Sequence, residues 1–131
     1  MPSTVTTILD GLSTSVAVKA PCRTVATSNI TLAGLQTISG YTTVEGDRVL
    51  VVGQTNSVHN GIYVASTGNW TRAKDADGAR DLVQGSIVLV RNVGTDGAIW
   101  ELTTSNPIVI GTSALTFSLR DDPANTYAQT E

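Results

Sequence analysis

Three carboxylates around a glycine, Asp75, Asp77 and Asp81 with Gly78, are the densest group of cation-ligand side chains in this sequence. Hard cations such as calcium take clustered carboxylate oxygens, and an EF-hand loop places its glycine sixth and a glutamate twelfth. Counted from Asp75, the glycine here is fourth and the twelfth residue is Ser86, so the match fails. The segment predicts instead a solvated loop whose Asp side chains cap backbone amides, with Arg72, Lys74 and Arg80 neutralising them and no metal bound. His59 is the single histidine, beside Asn60-Gly61, and no G-x-S-x-G elbow accompanies it, so a catalytic triad is not expected. Eleven acids offer no signature of the facing carboxylate pair that glycosidases use. Trp70 and Trp100 each lie in an alternating segment, where an inward indole is core. An outward one would be a sugar platform, and Trp70, Trp100, Asp75 and Asp77 are the candidate glycan or receptor contacts. No catalytic residue, cofactor or metal ligand is assigned, and the sequence reads as that of a non-enzyme.

Composition narrows the class further. The 131 residues suit one domain and carry 8 basic against 11 acidic side chains, a net charge of −3. With charged residues at only 15%, the chain is not of the disordered type. No basic stripe is present, so nucleic acid is not an expected partner. A lone Cys22 cannot form an internal disulfide and reads as a small apolar residue. Neither a signal peptide nor an 18-residue apolar run is visible, so the expectation is a chain made in the cytoplasm without a membrane partner.

The elements that position these residues are short strands. Abundant Thr and Val with 12 Gly favour strands and turns. Alternating or apolar runs predict strands at Arg23–Ala26, Ile30–Leu32, Gln36–Ser39, Arg48–Val52, Ile62–Ala65, Trp70–Ala73, Ile87–Arg91, Ile99–Thr103, Pro107–Ile110 and Leu115–Leu119. The continuous apolar runs at Arg48–Val52 and Ile87–Arg91 predict burial on both faces. Val49, Val51, Val88 and Val90 are then core residues on neighbouring or facing strands. Glu45-Gly46-Asp47 and Asn60-Gly61 supply turns, and 75–81 is a candidate for one helical turn. The expected fold is all-β, an antiparallel sandwich or partly open barrel of eight to ten short strands. Residues 1–20, Ser/Thr-rich with apolar residues at no consistent period and so unable to cover a core face of their own, predict an N-terminal docking arm held mainly by other chains. The β-domain then spans 21–119 and a flexible tail 120–131.

One resemblance adds to this reading. Ala20-Pro21-Cys22-Arg23, Asn29-Ile30-Thr31-Leu32, Gly34-Leu35-Gln36-Thr37-Ile38, Gly46-Asp47-Arg48-Val49-Leu50-Val51, Asn60-Gly61-Ile62-Tyr63, Trp70-Thr71-Arg72-Ala73, Asp77-Gly78-Ala79-Arg80-Asp81 and Pro107-Ile108-Val109-Ile110-Gly111-Thr112 occur in this order over about three-quarters of the chain. Together they resemble a small β-rich domain of tailed-bacteriophage virion proteins, found at or near the start of tail-fibre and other appendage proteins. The resemblance implies a non-enzymatic structural component located in the virion, attaching a tail fibre or appendage. Its implied partners are other virion proteins of the tail, collar or capsid and further copies of itself, with a trimer the first expectation. A capsid decoration protein is the alternative within that class. A carbohydrate- or receptor-binding module is the alternative outside it.

Overall fold

The computed structural model describes residues 17–78, 80–91 and 97–121, and builds them into ten strands. These are β1 (Val18–Cys22), β2 (Thr24–Ala26), β3 (Thr37–Ile38), β4 (Tyr41–Thr42), β5 (Arg48–Val51), β6 (Gly61–Val64), β7 (Thr71–Arg72), β8 (Ile87–Val90), β9 (Ala98–Leu102) and β10 (Phe117–Asp121). Two four-stranded sheets result, ordered β1-β8-β9-β10 and β2-β5-β6-β7, with β3 and β4 as a separate hairpin. The all-β sandwich is therefore as expected. Its sheets are mixed rather than purely antiparallel, because β1 runs parallel to β8 and β2 parallel to β5.

Both parallel pairs have one cause. β1 and β2 are a nearly continuous run of extended chain, interrupted only at Arg23, that leaves one sheet and enters the other. At the crossing the Arg91 amide donates to the Cys22 carbonyl at 2.8 Å, and the Arg23 amide donates to the Arg48 carbonyl at 2.7 Å. The strand starts at Val18, inside the segment expected to be an arm, and β10 reaches Asp121, inside the expected tail. The ladder with β8 takes in Val18 and Lys19, so the first strand begins ahead of residue 20. The rest of the arm, residues 1–16, and the tail beyond 121 lie outside the described residues.

Alternation along the strands sorts the core into two parts. Val25, Leu50 and Ile62 of one sheet meet Cys22, Val88, Val90 and Leu102 of the other, closed at the ends by Leu82, Ile108 and Leu115. On the opposite face of the β2-β5-β6-β7 sheet, Ala26, Val49, Val51, Tyr63 and Ala65 pack under Ile38 and Trp70, with Ile30 and Leu32 beside them. That sheet is covered on both sides, so β5 is buried on both faces as its apolar run predicted. β8 is not, because Leu89 points outward and is 40% exposed. The four valines are all buried, but Val49 and Val51 belong to one core and Val88 and Val90 to the other.

Two expected strands are absent. Residues 30–32 form the covering layer, touching the sheet through side chains, with only an isolated bridge between Ala33 and Asn69. Residues 107–110 run into a turn in which the Thr112 and Ser113 amides donate to the Val109 carbonyl and Ser113 Oγ accepts from the Val109 amide. A serine hydroxyl that satisfies a local amide competes with strand pairing in this way.

Replacing Val51 or Val88 with Asp should cost roughly 3–5 kcal/mol in urea unfolding, because an unpaired charge enters an apolar interior. Unchanged midpoints would contradict the burial. Gly53→Ala should cost about 1–3 kcal/mol, because a Cβ there would strike the backbone carbonyl of Thr27.

Candidate functional site

The acidic segment is placed by a short 3-10 turn, Lys74–Ala76, that follows β7 and buries Ala76 in the inter-sheet core. It overlaps the start of the 75–81 segment in which one helical turn was expected. Its three carboxylates are directed to separate tasks. Asp75 receives a two-pronged contact from Arg48, Nη1 to Oδ1 at 3.0 Å and Nη2 to Oδ2 at 3.1 Å. Arg48 Nη2 also donates to the Ala20 carbonyl at 3.0 Å, tying β5 to β1 and to the acidic loop. Asp81 Oδ2 accepts from the amides of Asp77 and Gly78, which is the capping role expected of this loop. Asp77 is exposed at its rim. The neutralising partner differs from expectation: Arg72 lies over the Tyr63 ring and donates to the Asn60 and Val58 carbonyls.

Lys19 completes the cluster. It is a buried lysine whose Nζ donates to the Asp75 carbonyl at 2.7 Å. Burial lowers its pKa, and the charges of Asp75 and Asp81 offset only part of that. A register shift between Lys19 and Cys22 marks an irregularity in β1, and both residues are buried. This side-chain set went unpredicted, because Arg48 and Asp75 are 27 residues apart. The available signal was a charged residue at the entry of the most apolar strand.

Burial alone would push the Asp75 carboxyl up, but the Arg48 hydrogen bonds and charge, with Lys19, hold it below the ordinary carboxylate value. Cys22 behaves oppositely: burial pushes its thiol up to about 12, so it is protonated and unreactive at neutral pH.

The remaining candidates do not converge. Trp70 is 6% exposed in the core of the doubly covered sheet, with its Nε1 donating to the Gly34 carbonyl at 2.9 Å. Trp100 faces the inter-sheet core from β9 and is half-buried, packed against that other cluster. Neither indole forms a platform with Asp75 or Asp77. His59 is exposed, and its carbonyl accepts from the Tyr63 hydroxyl. Among the described residues no three His, Cys, Asp or Glu side chains approach closely enough to hold a metal ion. No helix among them is long and apolar enough to cross a membrane. Two depressions among the described residues are open: about 500 Å³ against Ile87, Ile99, Glu101 and Arg120, and about 280 Å³ against Cys22, Arg23, Arg48 and Arg91. The Arg48–Asp75–Lys19 cluster is thus a structural clasp at the strand crossing.

Asp75 has a folded pKa below its unfolded value near 4, so its stabilising contribution is present above that pH and is lost as pH falls through the folded value. With both partners partly exposed, the loss should be about 1 kcal/mol, read as a melting temperature that falls as pH drops below about 4. Asp75→Asn should flatten that part of the profile. Native Cys22 should resist a disulfide reagent at pH 8 and react only on denaturation. Immediate labelling would show that the crossing opens.

Comparison with family models, with characterised proteins and with solved structures finds no match to this chain.

Proposed function

We propose that this chain is a non-enzymatic structural component of a bacteriophage particle, acting where a tail fibre or similar appendage is attached. The reading starts from the resemblance of its ordered sequence segments to a virion domain. What supports it in the fold is how the polar residues of those segments are used. Asp47 accepts from the Tyr41 hydroxyl and the Val44 amide, each at 2.8 Å. Asn60, 2% exposed, accepts from the Gln54 amide and donates to the Leu115 carbonyl. Arg48, Arg72, Asp75 and Asp81 are held in the contacts described above. Segments that carry the resemblance thus help to fix the loops of the sandwich. A part that bears load and presents loops and edges for assembly needs that arrangement.

Among the described residues both sheets end in edge strands without a further paired strand, β1 and β10 on one and β2 and β7 on the other. Exposed edges favour pairing with other chains, and closed symmetric assemblies remove that hazard. The proposal therefore includes a homo-oligomer in the particle, a trimer by the resemblance, that needs no metal.

Light scattering of the purified chain should give the mass of a trimer, unchanged by a chelator. Dissociation on chelation would bring Asp75, Asp77 and Asp81 back as ligands. A reconstruction of particles carrying a tagged copy should place the domain at the base of an appendage. Isolated copies spread over the capsid surface would favour the decoration protein instead.

A further inference from the structure

The two sheets differ on their outer sides. The β2-β5-β6-β7 sheet has a covering layer built from residues 30–43 and Trp70. On the β1-β8-β9-β10 sheet, the strand register puts Val18 beside Ile87 and Leu89 beside Ile99 on the side away from the core. Val18 and Leu89 are 47% and 40% exposed, and Ile87 and Ile99 are half-buried. The open depression of about 500 Å³ lies over Ile87 and Ile99, rimmed by Glu101 and Arg120, which pair at 2.9 Å. A sheet face turned to water normally carries polar residues in alternation. Four aliphatic side chains in two adjacent cross-strand pairs are instead the pattern of a covered face.

The chain itself holds a segment with the composition such a cover needs. Residues 1–16 contain Val5, Ile8, Leu9, Leu12 and Val16, with Asp10 as the single charged side chain. They join the sheet through Ala17 at Val18, on the edge strand and beside this face. From β1 to β10 is three strand spacings, about 14 Å. Sixteen residues span about 24 Å even at the rise of a helix and about 50 Å extended, so the segment reaches the whole width. The short tether places it at millimolar effective concentration over the face. Asp10 is complementary in charge to Arg120, whose side chain is 61% exposed.

We propose that residues 1–16 lie across the outer face of the β1-β8-β9-β10 sheet of their own chain, burying Val18, Ile87, Leu89 and Ile99. The inference does not rest on the phage reading. It departs from the expectation of an arm held by other chains, since the receptor is the domain's own sheet.

The test uses the full chain with Ser13→Cys in a Cys22→Ala background, a nitroxide on residue 13 and isotope-labelled methyl groups. The signals of Val18, Ile87, Leu89 and Ile99 should lose more than half their intensity, while those of Val51 and Ile38 on the far side keep theirs. Adding Leu89→Glu should restore the broadened signals of Val18 and Ile99. Leu12→Asp, in the proposed covering segment, should do the same. Undiminished signals on this face, or broadening that survives both substitutions, would overturn the proposal. So would equal broadening in a mixture of isotope-labelled chains lacking the nitroxide with spin-labelled chains lacking the isotope, since a second copy would then be the occupant.

Discussion

One strand, Val18 to Ala26, belongs to both sheets, and the relative position of the sheets depends on where it changes allegiance. Cys22 gives its carbonyl to Arg91 of one sheet, and Arg23 gives its amide to Arg48 of the other. Cys22 and Val25 sit on either side of that change and both enter the inter-sheet core. The two layers therefore cannot slide without breaking backbone hydrogen bonds at the edge of each. The crossing also forces a lysine inward, and a buried ammonium needs oxygen partners. Asp75 supplies one through its carbonyl, while its carboxylate holds Arg48. The acidic loop that invites a calcium reading thus serves as the counterweight of the strand crossing.

The second consequence is asymmetry between the layers. The sheet with β5 at its centre is sandwiched between the inter-sheet core and a covering layer anchored by Trp70 and Ile38. Buried threonines make that cover possible: Thr24 Oγ1 donates to the Ile38 carbonyl at 3.0 Å, and Thr43 Oγ1 links to both the amide and the carbonyl of Gln36. The abundance of Thr in a β-rich chain therefore does more than supply strand propensity. Its hydroxyls satisfy backbone groups in a layer that has little ladder of its own.

Much of this was legible in the residues. Eight of the ten expected strand segments fall on or beside observed ones, since each carries alternation or an apolar run of its own. The runs at 48–52 and 87–90 look alike in sequence, yet only the first is covered on both sides. An apolar run states that a strand tolerates burial, and the cover comes from elsewhere in the chain. The segment at 107–110 misleads for a local reason, because Ser113 completes a turn on Val109 that hydropathy cannot register. The parallel pairs and the Arg48–Asp75 contact are long-range facts, set by topology rather than by spacing. The candidate aromatic contacts are kept apart for the same reason: Trp70 and Trp100 are each inward, but toward different cores.

Native-state hydrogen exchange tests the strand crossing most directly. If the shared strand makes the two sheets one cooperative unit, the amides of Arg23 and Arg91 exchange only through global unfolding. Their opening free energy should then equal that of the core amides of Leu50 and Val88, and all four should follow the same denaturant dependence. Two separated values, one for each sheet, or rapid exchange at Arg23 and Arg91 while both cores stay protected, would contradict it.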